Sequence, residues 1–169
     1  MIYNISIVSI PSTGTIFLKE LINPDGFKHA HSYKTLEMLQ ETRHIVAPLR
    51  HPALVWATHA KKQSAPFEFW NAFEMMDKWA KLFRIHFIPI DLPRLRVLRL
   101  REFEKQTGKL YQTSWKPKNE TPPNDRVVPD VDLGPLWEYP FVKNHYPEPK
   151  RYRKRMEFTS LEHAYFDQA

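Results

Sequence analysis

Cysteine is absent from the 169 residues of this chain, and glycine is scarce, with four residues against fifteen prolines. The absence of cysteine excludes disulfide bonds, zinc-thiolate sites, iron–sulfur ligation and thiol catalysis. Compact domains use glycine for turns with positive φ and for the ends of helices. The sequence therefore predicts few tight turns.

Long hydrophobic runs are also missing. No run of about eighteen apolar residues occurs, so we expect no transmembrane span. The apolar start from Met1 to Ile10 has no basic region before it, since the first lysine is Lys19, and Pro11 ends it. This start is typical of neither a secretory signal nor an arginine-rich presequence.

Recognisable catalytic motifs are lacking as well. The chain contains no G-x-x-x-x-G-K-[ST] or G-x-G-x-x-G pattern, and Ser9, Ser12 and Ser64 have no nucleophile-elbow context. His29 and His31 are the only close histidine pair, and they lack further ligands at a spacing that zinc requires. We therefore expect a non-catalytic protein without a metal site or a cofactor. A catalytic activity that is lost on mutation of His29 or His31 would reverse that expectation.

Charge and proline divide the chain into a body, residues 1–111, and a tail, residues 112–169. The formal net charge is +6, but the tail carries nine basic and nine acidic residues. Eight of the prolines fall between Trp115 and Pro149, among several large aromatics. Because proline removes a backbone donor and favours extended neighbours, we expect a ribbon that lies on another surface.

Hydrophobic periodicity predicts a mainly α fold, with a small helical body and a long extended C-terminal segment. An alternating pattern over residues 2–10 indicates one extended segment, closed by residues 11–14, and residues 23–26 form a turn. Helices are expected over residues 33–47, 53–60, 66–86 and 94–106, although the alternation of arginine and apolar residues in the last leaves a strand open. A capping box from Thr159 to Glu162 predicts a short terminal helix.

Aromatic residues exceed what so small a body is expected to bury. The helix over residues 66–86 has an apolar arc wider than one neighbour covers, which predicts a second surface from another subunit or a membrane interface. The predicted partner-binding residues are Phe69, Trp70, Phe73, Trp79, Trp115, Trp137, Tyr139 and Phe141.

Two basic runs are candidate contacts for anions. Their arginines suit anionic phospholipid or a nucleic-acid backbone, and solvated arginines paired with nearby acids are the alternative. The neutral tail argues against penetration of RNA, because each contact with a phosphate needs a positive charge. The predicted anion-binding or lipid-binding residues are Arg94, Arg96, Arg99, Arg101, Arg151 and Arg153.

The stretch from Phe67-Glu-Phe-Trp70 to Phe87, together with Pro135-Leu-Trp-Glu-Tyr-Pro140, resembles the accessory subunits of the mitochondrial ATP synthase of euglenozoan protists. The resemblance extends over the whole chain and consists in its wide aromatic helix, its proline-rich aromatic segment and its lack of cysteine. It implies a non-catalytic structural subunit, peripheral to the mitochondrial inner membrane, that stabilises the membrane region or the dimer through contacts with other subunits. The alternative is a mitochondrial ribosomal protein that binds rRNA through its arginine-rich runs.

Overall fold

The computed structural model describes residues 2–61, 66–111 and 131–147, and their backbone forms a parallel sheet covered by helices on both faces. The four strands are Tyr3–Ser9 (β1), Gly26–His29 (β2), Thr42–Leu49 (β3) and Ile85–Pro89 (β4). Their order in the sheet is β2-β1-β3-β4, and every neighbouring pair is parallel. Parallel neighbours need crossover connections, which the helices supply.

The helices follow the strands in alternation. They are Thr15–Ile22 (α1), Thr35–Gln40 (α2), Pro52–Lys61 (α3), Pro66–Leu82 (α4), Pro93–Thr107 (α5) and Pro140–Lys143 (α6), with a 3-10 helix at Gly134–Glu138. Proline at the first turn of α5 and α6 has no donor to lose, and Gly108 ends α5 in the left-handed conformation. None of the helices within the described ranges is long and apolar enough to cross a bilayer.

Alternate residues of β1, β3 and β4 enter two hydrophobic clusters, one on each face of the sheet. On one face, Ile5, Ile7 and Val46 pack with residues of α1 and α5. On the other face, Val8 and Ala47 pack with residues of α2, α3, α4 and the segment 131–146. The central strands are therefore apolar on both sides, as parallel strands usually are.

The expected mainly α fold is wrong, because the chain forms an α/β fold around a four-stranded parallel sheet. Residues 33–47, predicted as one helix, form the short helix α2 and most of strand β3. An apolar run buried on both faces has no period-two alternation and cannot be told from a buried helix by pattern. The predicted helix over residues 66–86 likewise ends at Leu82, and β4 begins at Ile85.

The expected extended ribbon is also wrong where the structure describes it. Residues 134–138 and 140–143 are helical, and Leu133, Leu136 and Tyr146 are buried in the cluster formed with α3 and α4. Proline occupies the first turn of each short helix, where it is compatible with helical geometry. The rest of the ribbon and the predicted helix from Thr159 lie outside the described residues.

Candidate functional site

The strand order places a topological switch point between β1 and β3. The chain leaves β1 toward β2 on one side of the sheet and then returns past β1 to form β3 on the other side. In open parallel sheets, ligands bind outside the carboxyl ends of the strands at this point. The loops after Ser9 and after Leu49 are therefore the first place to look for a site.

The loop after β1, residues 10–14, leads directly into helix α1 and has an unusual backbone. Ser12 has φ 69° and Gly14 has φ 91°, so two left-handed residues flank Thr13. Alternation of left-handed and right-handed residues turns successive N–H groups into a concave anion-binding nest. The first N–H groups of α1 continue this nest, because they have no intrahelical acceptor and lie at the positive end of the helix dipole.

Local contacts hold this loop in shape. The hydroxyl of Thr13 donates to the Ile10 carbonyl at 2.5 Å, and the Thr15 hydroxyl donates to Ser9 Oγ at 3.1 Å. A side chain at position 14 would bring its Cβ within 3.0 Å of Ile90, at the end of β4. Glycine is thus required here both by φ and by the close approach to Ile90.

Arg50, the first residue after β3, lies against this loop. Its guanidinium donates to the Ser12 carbonyl at 3.2 Å and to the Thr58 hydroxyl of α3 at 3.1 Å. The Thr58 hydroxyl in turn donates to the Leu54 carbonyl at 3.1 Å, one turn earlier in α3. Arg50 therefore places a positive charge between the loop and α3, at the switch point.

A network of buried polar groups supports the start of α3. Helix α3 begins at Pro52, and His51 Nδ1 accepts the Ala53 N–H at 3.0 Å, which makes His51 the cap of the helix. The carboxylate of Asp91, which follows β4, accepts the His51 N–H at 2.8 Å and the Tyr146 hydroxyl at 2.5 Å. Residues at the ends of two strands and in the C-terminal segment are thereby joined beside Arg50.

Burial shifts the pKa of both titratable members of this network away from the charged form. Desolvation, with a smaller contribution from the Arg50 charge, lowers the pKa of His51 to about 3. Desolvation raises the pKa of Asp91, and the hydrogen bonds from Tyr146 and His51 oppose that rise. His51 is therefore neutral at pH 7, with its proton on Nε2 because Nδ1 accepts a hydrogen bond.

His29, the last residue of β2, and His31, two residues further, lie on the other side of the loop. His29 Nδ1 is 3.2 Å from Ser9 Oγ, and the two imidazole rings stack with their centroids 5.8 Å apart. The Trp79 indole of α4 donates to the Ala30 carbonyl between them at 2.7 Å, which fixes this segment. Among the described residues no group of three metal-ligating side chains is present, so the pair has no third ligand there.

The predicted partner-binding aromatics lie mostly in the hydrophobic core of this chain. Phe69, Phe73 and Trp79 on α4 are buried, and so are Trp137 and Phe141 in the C-terminal segment. Trp70 and Tyr139 are partly buried against the same cluster, and Trp115 lies outside the described residues. All seven of these described aromatics belong to, or pack against, the hydrophobic cluster on one face of the sheet.

The predicted anion-binding arginines are separated by the helical geometry of α5. Arg96 is buried, donates to the Ile90 carbonyl at 2.8 Å and lies 5.7 Å from the Phe17 ring centre. Arg94 and Arg101 are exposed, and Arg99 forms an ion pair with Glu102 at 3.0 Å. These four arginines do not form one surface, and Arg151 and Arg153 lie outside the described part of the chain.

Sequence reasoning missed Ser12, Gly14, Thr15 and Arg50 as a group. The available signal was an apolar strand followed by Pro11-Ser-Thr-Gly14, which was interpreted only as the end of the extended segment. A phosphate-binding interpretation of a Gly-containing loop needs a strand before it and a helix after it. Helix α1 was not predicted, so that context was missing.

Comparison with protein-family models, with curated proteins and with solved structures finds no match. The interpretation of the site therefore depends on its geometry.

Proposed function

We propose that the chain binds a phosphorylated ligand of the nucleotide type in the loop between β1 and α1. The main support for this proposal is the nest at residues 12–15. It lies at the N-terminus of α1 and at the switch point of a parallel sheet. Backbone N–H groups and the helix dipole both favour a phosphate at such a position. Arg50 adds a permanent positive charge beside it.

The loop differs from the phosphate loop of nucleotide triphosphatases. Thr15 follows Gly14, where that motif has lysine, so the positive charge comes instead from Arg50, the first residue after the neighbouring strand β3. The Arg50 guanidinium and the Thr58 hydroxyl form a second group of polar atoms beside the nest. A nucleoside with phosphate groups at two positions would place one phosphate in the nest and the other beside the Arg50 guanidinium.

Ligand-induced thermal stabilisation tests this proposal. We would titrate the full chain with inorganic phosphate and with adenosine phosphorylated at the 5′, the 3′ or both positions. A ligand at about 100 times its Kd stabilises the folded state by about 2.7 kcal/mol. Arg50→Gln should weaken binding by about 10-fold or more, because hydrogen bonds to charged groups contribute about 1.5–3 kcal/mol.

Arg101→Gln is the matched control, since Arg101 is an exposed arginine in the second half of α5. It should leave nucleotide binding unchanged. Absence of stabilisation by every nucleotide tested, or equal weakening by both substitutions, would contradict the proposal.

A second candidate function is transfer of a phosphoryl or sulfuryl group from the bound nucleotide to a hydroxyl. His29 favours it, because its ring lies beside Ser9, which is hydrogen-bonded to Thr15 at the start of α1. In the tautomer with the proton on Nδ1, the ring donates to Ser9 Oγ and its basic lone pair lies on Nε2. The acceptor hydroxyl would lose its proton to Nε2, its oxygen would bond to the transferred group, and the bond to the nucleotide would break with its electron pair on the nucleotide oxygen.

His29→Asn separates this chemistry from binding. It should leave the affinity for the best nucleotide within about 2-fold and reduce the slow hydrolysis of a phosphorylated or sulfated donor, with water as acceptor, by about 10²-fold or more. Hydrolysis measured by chromatography at equal rates in the variant and the unmodified chain would contradict the role of His29.

The accessory-subunit role and its ribosomal alternative stay predictions. Their main argument was an excess of aromatic residues, and most of those in the described ranges are buried within this chain. Co-purification with a membrane complex, insensitive to nuclease, would support the first, and nuclease-sensitive sedimentation with ribosomal subunits would support the second.

A further inference from the structure

A second concave site lies at the amino ends of the strands, at the edge of the sheet opposite the loop of residues 10–14. The residues that begin β3 and β4 line it, together with the C-terminal half of α5, which runs back along the sheet. Its volume is about 730 Å³, within the range of small-molecule sites. Three arginines line it, each from a different segment: Arg43, Arg84 and Arg99.

The charge of this cleft is positive. Glu102 is the only carboxylate among its described lining residues, and it pairs with Arg99 at 3.0 Å. Neither Arg43 nor Arg84 has an ion-pair partner within the described ranges, and both are exposed. Two positive charges therefore remain after the pairing of Arg99.

The histidines of the cleft add hydrogen-bonding groups without adding charge at neutral pH. Burial is the main cause that lowers the pKa of both His44 and His86, and neighbouring arginines add to it. His86 Nε2 donates to the Arg99 carbonyl at 2.7 Å, which fixes its tautomer and ties β4 to α5. This hydrogen bond therefore fixes β4 and α5 relative to each other where they line the cleft.

Arg99 carries a donor that the described residues leave unsatisfied. Its Nε is buried and has no acceptor within the described part of the chain, although its Nη1 bonds Glu102. A buried donor without an acceptor is costly, and an oxygen of a bound anion would remove that cost. The guanidinium geometry suits a phosphate, which can accept two parallel hydrogen bonds.

We infer that this cleft is a second anion-binding site, for a small molecule with phosphate groups that carry at least two negative charges. Three arginines converge on one concave volume instead of forming a stripe along the surface, which favours a compact ligand over a nucleic-acid backbone. The site is separate from the proposed nucleotide site and does not depend on it, because the two lie at opposite ends of the parallel strands.

Titration with sodium pyrophosphate, followed by amide NMR shifts of the full chain, tests the inference. Residues 43–45 and 84–86 should shift in a saturable manner, at an ionic strength matched with sodium chloride. The double variant Arg43→Gln/Arg84→Gln should weaken the binding at these residues by at least 10-fold. Both side chains are exposed, so its fold can be verified by an unchanged thermal transition.

Two controls separate this site from general charge effects and from the nucleotide site. Lys34→Gln/Lys143→Gln removes two exposed charges elsewhere and should leave the shifts at residues 43–45 and 84–86 unchanged. Arg50→Gln should weaken only shifts at residues 12–15, so failure of one site is visible without failure of the other. Absence of saturable shifts at the amino ends, or equal weakening by the lysine variant, would overturn the inference.

Discussion

Individual polar residues at the carboxyl ends of the strands combine a structural role with placement beside the candidate site. His51 shows this most clearly, because its imidazole caps α3 and packs against the rings of Trp137 and Tyr146. A capping residue must accept a hydrogen bond, and a protonated imidazole cannot do so at Nδ1. The lowered pKa of His51 is therefore linked to the stability of α3.

His51→Asn should flatten the dependence of stability on pH. The folded-state pKa of about 3 lies below the ordinary value of 6.5, so the unfolded chain binds more protons between these values. The contribution of His51 is complete above pH 6.5 and falls, as pH decreases toward 3, by up to about 1.4 kcal/mol per pH unit. Asparagine also caps helices but does not titrate.

Denaturant unfolding at several pH values between 4 and 7 measures this effect. Burial raises the pKa of Asp91, so its own contribution changes in the opposite sense, falling as pH rises. The unmodified chain and the His51→Asn variant both keep Asp91. The difference between their slopes of unfolding free energy against pH therefore measures the contribution of His51. An equal slope in the variant would show that His51 titrates normally in the folded chain.

Gly14→Ala should destabilise the chain more than Gly108→Ala. Both glycines have positive φ, 91° and 73°, so alanine at either position costs about 1–2 kcal/mol. At Gly14 the new Cβ also meets Ile90 at 3.0 Å, whereas at Gly108 nothing lies within 4 Å. Overpacking should add about 1 kcal/mol or more at Gly14, measured by urea unfolding. Equal losses would show that Ile90 moves away freely.

At the scale of elements, the helices whose ends carry proline or glycine were easiest to predict from sequence. Helix α5 was expected over residues 94–106, and the structure gives Pro93–Thr107 with Gly108 as the C-cap. Strand β1 was also expected as an extended segment. Strand β3 was missed because burial on both faces leaves it with no alternation, and β2 because four residues are too few for a pattern.

The candidate site was less predictable than the elements that form it. Its residues come from two loops about forty positions apart, and the contact between Arg50 and Ser12 exists only because β1 and β3 are neighbours in the sheet. Without β3, the sequence offered no reason to place Arg50 near residues 10–14. Local patterns predict local structure, whereas this site is made by strand order.

The C-terminal segment of residues 131–147 is held partly by one hydroxyl. Tyr146→Phe removes the donor to Asp91 and leaves a buried carboxylate oxygen unsatisfied, which should cost about 1–3 kcal/mol. Tyr139→Phe, a partly buried tyrosine of the same segment, is the matched control and should change stability by less than about 0.5 kcal/mol. Chemical denaturation of both variants measures the difference, and similar values would exclude a special role for the Tyr146 hydroxyl.

At the scale of the whole molecule, the two faces of the sheet are covered by residues distant in sequence. The cluster with α3 and α4 is completed by Leu133, Leu136, Trp137 and Phe141, which lie after the undescribed residues 112–130. The hydrophobic core therefore includes residues from both sides of the predicted boundary at residue 111. The body alone would expose the apolar side chains of α4 that these residues cover.

A chain that ends at Gln112 should consequently lose cooperative unfolding or aggregate. A chain that ends at Pro147 keeps every member of both hydrophobic clusters and serves as the length control. Near-ultraviolet circular dichroism and thermal unfolding would compare the two. A shorter chain that melts as sharply as the control would show that the C-terminal segment is dispensable for the core.

The indole of Trp79 connects helix α4 to the candidate site and thereby restricts the size of the ligands that the site can bind. Its hydrogen bond to the Ala30 carbonyl, at 2.7 Å, fastens the turn that carries His29 to a long, deeply packed helix. Enlarging the entrance on the β2 side would require either breaking that bond or shifting α4 as a rigid rod. A larger or smaller ligand would therefore have to be accommodated on the opposite side of the site, by movement of α3 and Arg50.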